Sequence, residues 1–289
     1  MIEDGGETAM VERLSRQDVD KPISITDEVK IIRAGDIIHV IHDTTKRPGV
    51  TPVCVPISRD QYVDTRTGEV GDYNRSDNRA GAIESLKRTM EHIRQIVDAN
   101  TSSDHGYRWV TLTYAHNERD LDRVYADYKR YNTRLRRKIG HYEYIAVVEP
   151  QQRGAWHMHI LMIWHNQQAP YIPPWVISGA WQQGYVKIQD VNDVQDIGAY
   201  ITSYLTDLYH PETKTTSKGA RLYLYPSGCN IVRCSRGIAR PRIERTTLAE
   251  VKGDLANARL RYQRGYKITD QSGQQIGTIR HKQYITTRR

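Results

Sequence analysis

His157 and His159 flank Met158 in the apolar run Trp156-His157-Met158-His159-Ile160-Leu161-Met162. In a strand, residues i and i+2 point to one face. The two imidazoles therefore project together, while Trp156, Met158 and Ile160 face the other way. A shared metal ion is one reading of the pair; two partly buried core histidines is the other. Glu149 stands eight residues before His157, across Gln151-Gln152-Arg153-Gly154. The separation is even, so a short hairpin brings its carboxylate to the histidine face. Two imidazoles and a carboxylate suit Mn2+, Mg2+ or Zn2+ and leave positions open for substrate oxygens. A solvated glutamate at a strand end is the competing reading. Tyr200 and Tyr204 are four residues apart, so they share a helix face. They lie on the flank of a stripe made by Ile197, Ile201, Leu205 and Leu208. The chain has 19 Tyr and no Phe, so spacing alone favours packing for both.

Several elements must position these side chains. HYEYIAVVEP (141–150) and AWHMHILMIW (155–164) read as strands joined by the turn QQRG. YRWVTLTYAH (107–116) is a third strand and GYVKIQDV (184–191) a fourth. Ile83, Leu86, Met90, Ile93 and Val97 recur at helical spacing within 78–99. A second stripe, Leu121, Val124, Tyr128, Tyr131, Leu135 and Ile139, marks a helix over 120–139. A third helix over 194–209 is capped near Asn192-Asp193. VKIIRAGDIIHVIHD (29–43) has the pattern of a hairpin. Residues 1–28 read as weakly ordered, and residues 60–75 and the Pro-rich QQAPYIPPW (167–175) as loops. ARLYLYP and CNIVRCS read as short strands, 246–262 as a short helix, and the regions around Ile268 and Ile279 as strand-like. Hairpins interleaved with helices favour an α+β fold, a central antiparallel sheet with helices packed on one face.

The balance of charge narrows the partners. The 289 residues carry a formal charge of +8, with −3 over 1–218 and +11 over 219–289. A basic segment on a nearly neutral body suits a polyanion, although a solubilising surface has the same composition. Cys54, Cys229 and Cys234 form no CxxC pair and no disulfide scaffold. No apolar run reaches transmembrane length. The acidic, polar N-terminus is no secretory signal, so a soluble, cytoplasmic protein is expected. No GxxxxGK loop is present, which argues against nucleotide hydrolysis within this chain.

Taken in order, WVTLTYAH (109–116), YIAVVEPQQRGAWHMHILM (144–162), GAYITSYLTDLY (198–209) and CSRGIARP (234–241) resemble the motifs of the HUH-class rolling-circle replication initiators, the Rep endonucleases of plasmids and viruses. The resemblance spans roughly residues 75–245. It implies an HUH endonuclease-like fold with Glu149, His157 and His159 as ligands of Mn2+ or Mg2+. It implies Tyr204 as the main nucleophile, with Tyr200 where some relatives carry a second catalytic Tyr and others a Glu. Attack on a phosphodiester would leave a 5′-phosphotyrosine and a free 3′-hydroxyl, which a polymerase extends. The family's YxxK pattern fails here, because Ser203 and Asp207 occupy the lysine positions. Lys187, Lys214, Lys218 or Arg153 would have to supply the missing charge.

The resemblance also assigns supporting roles. Thr111 and Thr113, on a strand beside the metal site, are candidates for hydrogen bonds to its ligands. Arg236 and the basic tail are candidates for phosphate contacts, and Trp175, with Tyr171, for stacking on exposed bases. The implied substrate is single-stranded or hairpin origin DNA, and the implied partners are a separate helicase and a host polymerase. The expected organisation is an N-terminal extension with a β-hairpin over 1–75, a nicking domain over 76–245 and a basic C-terminal extension over 246–289. An HUH transposase or relaxase is a rival within the chemistry. A non-catalytic nucleic-acid-binding protein, using the histidines for packing, is a rival outside it.

Overall fold

A computed structural model describes residues 10–45, 54–58, 60–65, 67–73, 83–151, 153–192, 197, 222–226, 228–270 and 272–286. The chain divides into two compact units. One comprises residues 1–33, 37–75 and 242–289, the other residues 34–36 and 76–241.

The first unit opens with β1 (Met10–Arg13), α1 (Arg16–Asp20), β2 (Glu28–Ala34) and β3 (Ile37–Asp43). β2 and β3 are hydrogen-bonded neighbours, as their alternating apolar residues predict. Gly35 in their turn has φ +59°, a left-handed conformation that a glycine adopts without steric cost. Three short strands follow, β4 (Cys54–Pro56), β5 (Gln61–Asp64) and β6 (Val70–Asp72). They form an antiparallel sheet where the sequence predicts a loop around residues 60–75. Their side chains are exposed or only half-buried, so backbone pairing sustains them and no apolar alternation marks them.

The second unit contains α2 (Ile83–Ala99), β7 (Gly106–Tyr114), α3 (Leu121–Ile139), β8 (Glu143–Pro150), β9 (Trp156–Trp164), α4 (Pro174–Trp181), β10 (Gly184–Asp190) and β11 (Val232–Cys234). Its five strands lie in the order β10-β7-β9-β8-β11, each pair antiparallel. The Asp120 carboxylate caps α3 by accepting from the N–H groups of Asp122 and Arg123 at 2.9 and 3.4 Å. Gly140 closes the helix at φ +83°, its N–H donating to Arg136 O at 3.0 Å. The predicted stripe of α3 is buried at Val124, Tyr128, Tyr131 and Leu135. α3 and α4 pack on one face of the sheet, where Tyr128 meets Tyr144 edge-on and Trp181 meets Tyr114. Tyr114 Oη also donates to Asp127 of α3 at 2.8 Å.

Two local expectations fail in this unit. α4 begins inside the Pro-rich stretch expected to be a loop. Pro174 stands in its first turn, where a missing N–H costs nothing because that donor has no helical acceptor. Leu222–Leu224 form a 3-10 turn, not part of a strand. Both runs are short and apolar, and such runs carry too little periodicity to separate turn, helix and strand.

The chain then completes the first unit with β12 (Arg242–Thr247), α5 (Leu248–Leu255), β13 (Ala258–Thr269) and β14 (Gln275–Thr286). The six-stranded order is β1-β13-β14-β3-β2-β12. The two terminal segments, separate extensions in the sequence-based division, thus pair strand by strand into one sheet. β1 owes its order to pairing with residues 266–269, a partner far away in sequence. α5 is shorter than the predicted 246–262, because residues from Ala258 onward pair with β14. Val29, Ile31, Ile38, Val40 and Val251 form the core of this unit. Antiparallel sheets with helices packed on them make the protein α+β. Among the described residues, no helix is long and apolar enough to cross a membrane.

Candidate metal centre

The β8–β9 hairpin sets His157 opposite Glu149, and the β7–β9 pairing sets Thr111 opposite His159 and Thr113 opposite His157. Cross-strand partners share a face. The turn between β8 and β9 is closed by Gln151 N–H donating to Ala155 O at 2.7 Å and Gly154 N–H donating to Gln151 O at 2.8 Å. Gly154 has φ +84°, which explains a glycine there. Arg153 braces the turn, its guanidinium donating to Tyr114 O at 2.6 Å and to Gln151 Oε1 at 3.1 Å.

Three ligand atoms converge. His157 Nε2 lies 2.9 Å and His159 Nε2 3.1 Å from Glu149 Oε2, and the two nitrogens are 3.1 Å apart. Donors about 2.1 Å from a divalent ion and at right angles to one another stand about 3 Å apart. The three spacings therefore fit one face of an octahedron. Tetrahedral donors would lie wider. The set also fits chemically, since two imidazoles and a carboxylate leave the opposite face for water or substrate oxygens.

The surroundings hold this set in a ligand state. Thr111 Oγ1 lies 3.1 Å from His159 Nδ1. With Nδ1–H donating to that hydroxyl, Nε2 keeps its lone pair for a cation. Trp109 stacks on the His159 ring, centroids 5.4 Å apart and planes within 5°. Burial, aided by the charge of His157, holds the His159 pKa below the ordinary 6.5 against the pull of Glu149. For Glu149, burial works to raise the pKa. Hydrogen bonds from His157 and His159, and their charge, prevail and bring it to about 2. An ionised carboxylate beside a neutral buried imidazole is the protonation state that metal binding requires.

The other sequence-derived candidates are spread more widely. Lys187 pairs with Thr111 and is exposed on the ligand-bearing face. Thr113 shares that face. Arg153 lies in the adjoining turn, already engaged by backbone and Gln151. Trp175 is 71% exposed at the start of α4. Arg236 is exposed beyond β11, beside Gly237, whose N–H donates to Glu143. Glu143 is six residues along β8 from Glu149, about 20 Å at strand rise. Tyr200, Tyr204, Asp207 and Lys218, with Ser203 and Lys214, lie outside the described residues. Sequence reasoning passed over Tyr185, which is 74% exposed. It stands in one cross-strand row with Thr113, His157 and Glu149. The alternation in GYVKIQDV, which sets Tyr185 and Lys187 on one face, was the available signal.

A His-hydrophobe-His strand at the centre of a five-stranded antiparallel sheet, with a carboxylate on its hairpin partner, defines the HUH type of α+β domain. Residues 107–209 match the family model of the replication-associated protein ORF2, and this segment belongs to the HUH-type Rep family. No curated protein and no solved structure matches the chain. The family match and the Glu149, His157 and His159 cluster together support nucleic-acid processing of the HUH/Rep kind.

Proposed function

We propose that the protein is a site-specific, metal-dependent enzyme that nicks and rejoins single-stranded DNA to start rolling-circle replication. The observation that carries this reading is the three-donor cluster on the open face of the sheet, its ligand atoms all within 4.8 Å of one another. In the proposal Glu149, His157 and His159 hold Mn2+ or Mg2+. When bound, such an ion draws charge from the non-bridging oxygens of the scissile phosphate.

The remaining steps belong to the chain's own side chains. The Tyr204 hydroxyl attacks phosphorus, its oxygen forms the new P–O bond, and the bond to the 3′-oxygen breaks. The phenolic proton is lost and the departing 3′-oxygen gains one, so a 5′-phosphotyrosine and a 3′-hydroxyl result. One phosphodiester has been exchanged for another, and rejoining needs no nucleotide cofactor. Tyr200 takes the second transfer, accepting the strand when the 3′-hydroxyl made at one tyrosine attacks the other. A free tyrosine has a pKa of about 10, so a cation must favour its phenolate. Lys187, exposed on the ligand face, is the better replacement for the family lysines than Arg153, whose guanidinium is already hydrogen-bonded. Tyr185 and Trp175 offer exposed rings for unpaired bases. The origin would be single-stranded or extruded as a hairpin, with a separate helicase and host polymerase acting on the nicked strand.

The test is cleavage of an origin oligonucleotide by the unaltered protein and by Tyr204→Phe, with and without Mn2+. A covalent 5′-linked adduct that requires Mn2+ and disappears in Tyr204→Phe is expected. No adduct from the unaltered protein on its own origin removes the catalytic reading. Full cleavage by Tyr204→Phe removes the assigned nucleophile.

A further inference from the structure

A recess of about 690 Å³ opens between α3 and the edge strand β11. It lies on the helix side of the sheet, because Arg233 pairs with Ala146, whose side chain faces away from that of Glu149. Lys129, Arg233 and Arg240 line it, and among the described lining residues there is no carboxylate. Tyr125 and Tyr144 supply aromatic wall. Lys129 follows Tyr125 by four residues on α3, so both project from one helix face.

The recess is built before anything enters it. Tyr125 Oη donates to Asn230 O at 2.8 Å, tying α3 to the chain before β11. The Arg233 guanidinium sits 3.6 Å from the Tyr125 ring centroid. A guanidinium stacked on a ring keeps its N–H edge for an anion. Arg233 Nε–H is buried and makes no hydrogen bond among the described residues. A buried donor left without an acceptor is costly, and more so on a charged group. An anionic oxygen arriving in the recess removes that cost.

We propose that this recess is a nucleotide-binding site, with the phosphate met by Lys129, Arg233 and Arg240 and the base stacked on a tyrosine wall. The volume falls in the range of small-molecule sites and is far larger than a bare phosphate fills. Aromatic walls beside three cations match a base joined to a phosphate. The same chemistry is offered by a free nucleotide and by one nucleotide of a single DNA strand. The site stands apart from the metal cluster and does not depend on the nicking reading.

Calorimetric titration of the full chain with deoxyadenosine monophosphate tests the proposal, with inorganic phosphate as the comparison. Saturable nucleotide binding is expected. Lys129→Ala combined with Arg240→Ala alters two exposed side chains and should weaken binding by about tenfold or more, with the melting temperature unchanged. Arg233→Met should weaken binding as much, at some cost in melting temperature because the side chain is half-buried. His159→Ala should leave nucleotide affinity intact, which separates this site from the metal cluster. Displacement by a single-stranded oligonucleotide assigns the site to a DNA strand, and its failure assigns the site to free nucleotides. Absence of nucleotide binding, equal affinity for inorganic phosphate, or a folded double variant that binds as tightly as the unaltered chain overturns the proposal.

Discussion

His159 shows how much of a metal site is built around the ligand. Its ring is stacked by Trp109, its Nδ1 faces the Thr111 hydroxyl, and its Nε2 faces Glu149 and His157. Stacking limits rotation, and the hydroxyl decides which nitrogen carries the proton. Thr111→Val removes only that hydroxyl, in a side chain of nearly the same shape. Mn2+ affinity, measured by calorimetry, should fall about 10- to 100-fold while the melting temperature moves little. Unchanged affinity would mean that the hydroxyl does not orient the ring. Glu149→Gln keeps the shape and discards the charge. It should abolish Mn2+-dependent cleavage even at Mn2+ concentrations that saturate the unaltered protein. At this scale the sequence was informative, since the even spacing from Glu149 to His157 and the i, i+2 histidines needed only a hairpin to bring them together. The stacked Trp109 was not legible, because its ring reaches His159 from the neighbouring strand β7.

Elements differ in how openly the sequence announces them. α3 is announced well, by an apolar stripe, an aspartate cap and a closing glycine. Asp120→Ala should lower unfolding free energy by about 1 kcal/mol, read as a reduced midpoint in urea. A midpoint that does not move would deny the cap its role. β3 carries a feature that no pattern reveals. His42 lies between Arg280, whose Nη2 is 3.0 Å from Nδ1, and Asp27, whose Oδ2 is 3.1 Å from Nε2. A neutral ring protonated on Nε2 satisfies both neighbours. Burial first, then the charge of Arg280, lowers the His42 pKa below 6.5, with Asp27 and Asp43 opposing. Between the lowered value and 6.5 the unfolded chain binds more protons than the folded one. The stability from this group is therefore complete above pH 6.5 and is lost as pH falls toward the folded value. Thermal melts between pH 7 and pH 5 should show a falling melting temperature, with a shallower fall in His42→Gln. An identical slope in the variant would remove His42 as its source.

At the scale of the whole molecule, the first unit is closed by strands from both ends of the chain. β3 pairs with β14, and β2 with β12, so residues 28–43 lose both outer neighbours if the C-terminal segment is absent. A chain ending at residue 241 should become protease-sensitive within 28–43 while 106–164 stays protected. Protection of 28–43 in that truncation would show that the hairpin stands without β12 and β14. The charge asymmetry takes a new meaning from the same pairing. The +11 of residues 219–289 looked like a tail on a neutral body, yet much of it lies on β12, β13 and β14 within a folded sheet.

By itself the sequence determined the local chemistry, meaning the metal-donor types, the hairpin that joins them, the amphipathic helices and the central strands. Each depends on residues within about ten positions of one another, where periodicity of 2.0 or 3.6 fixes direction. Only the tertiary structure decided that the donors lie about 3 Å apart, that Lys187 and Tyr185 share their face and that Arg236 does not stand beside them. Only it joined the two ends of the chain in one sheet and set Arg233 against Tyr125. Those relations are contacts between residues distant in sequence. They follow from which strand pairs with which and in what register, and local propensity carries no record of that choice.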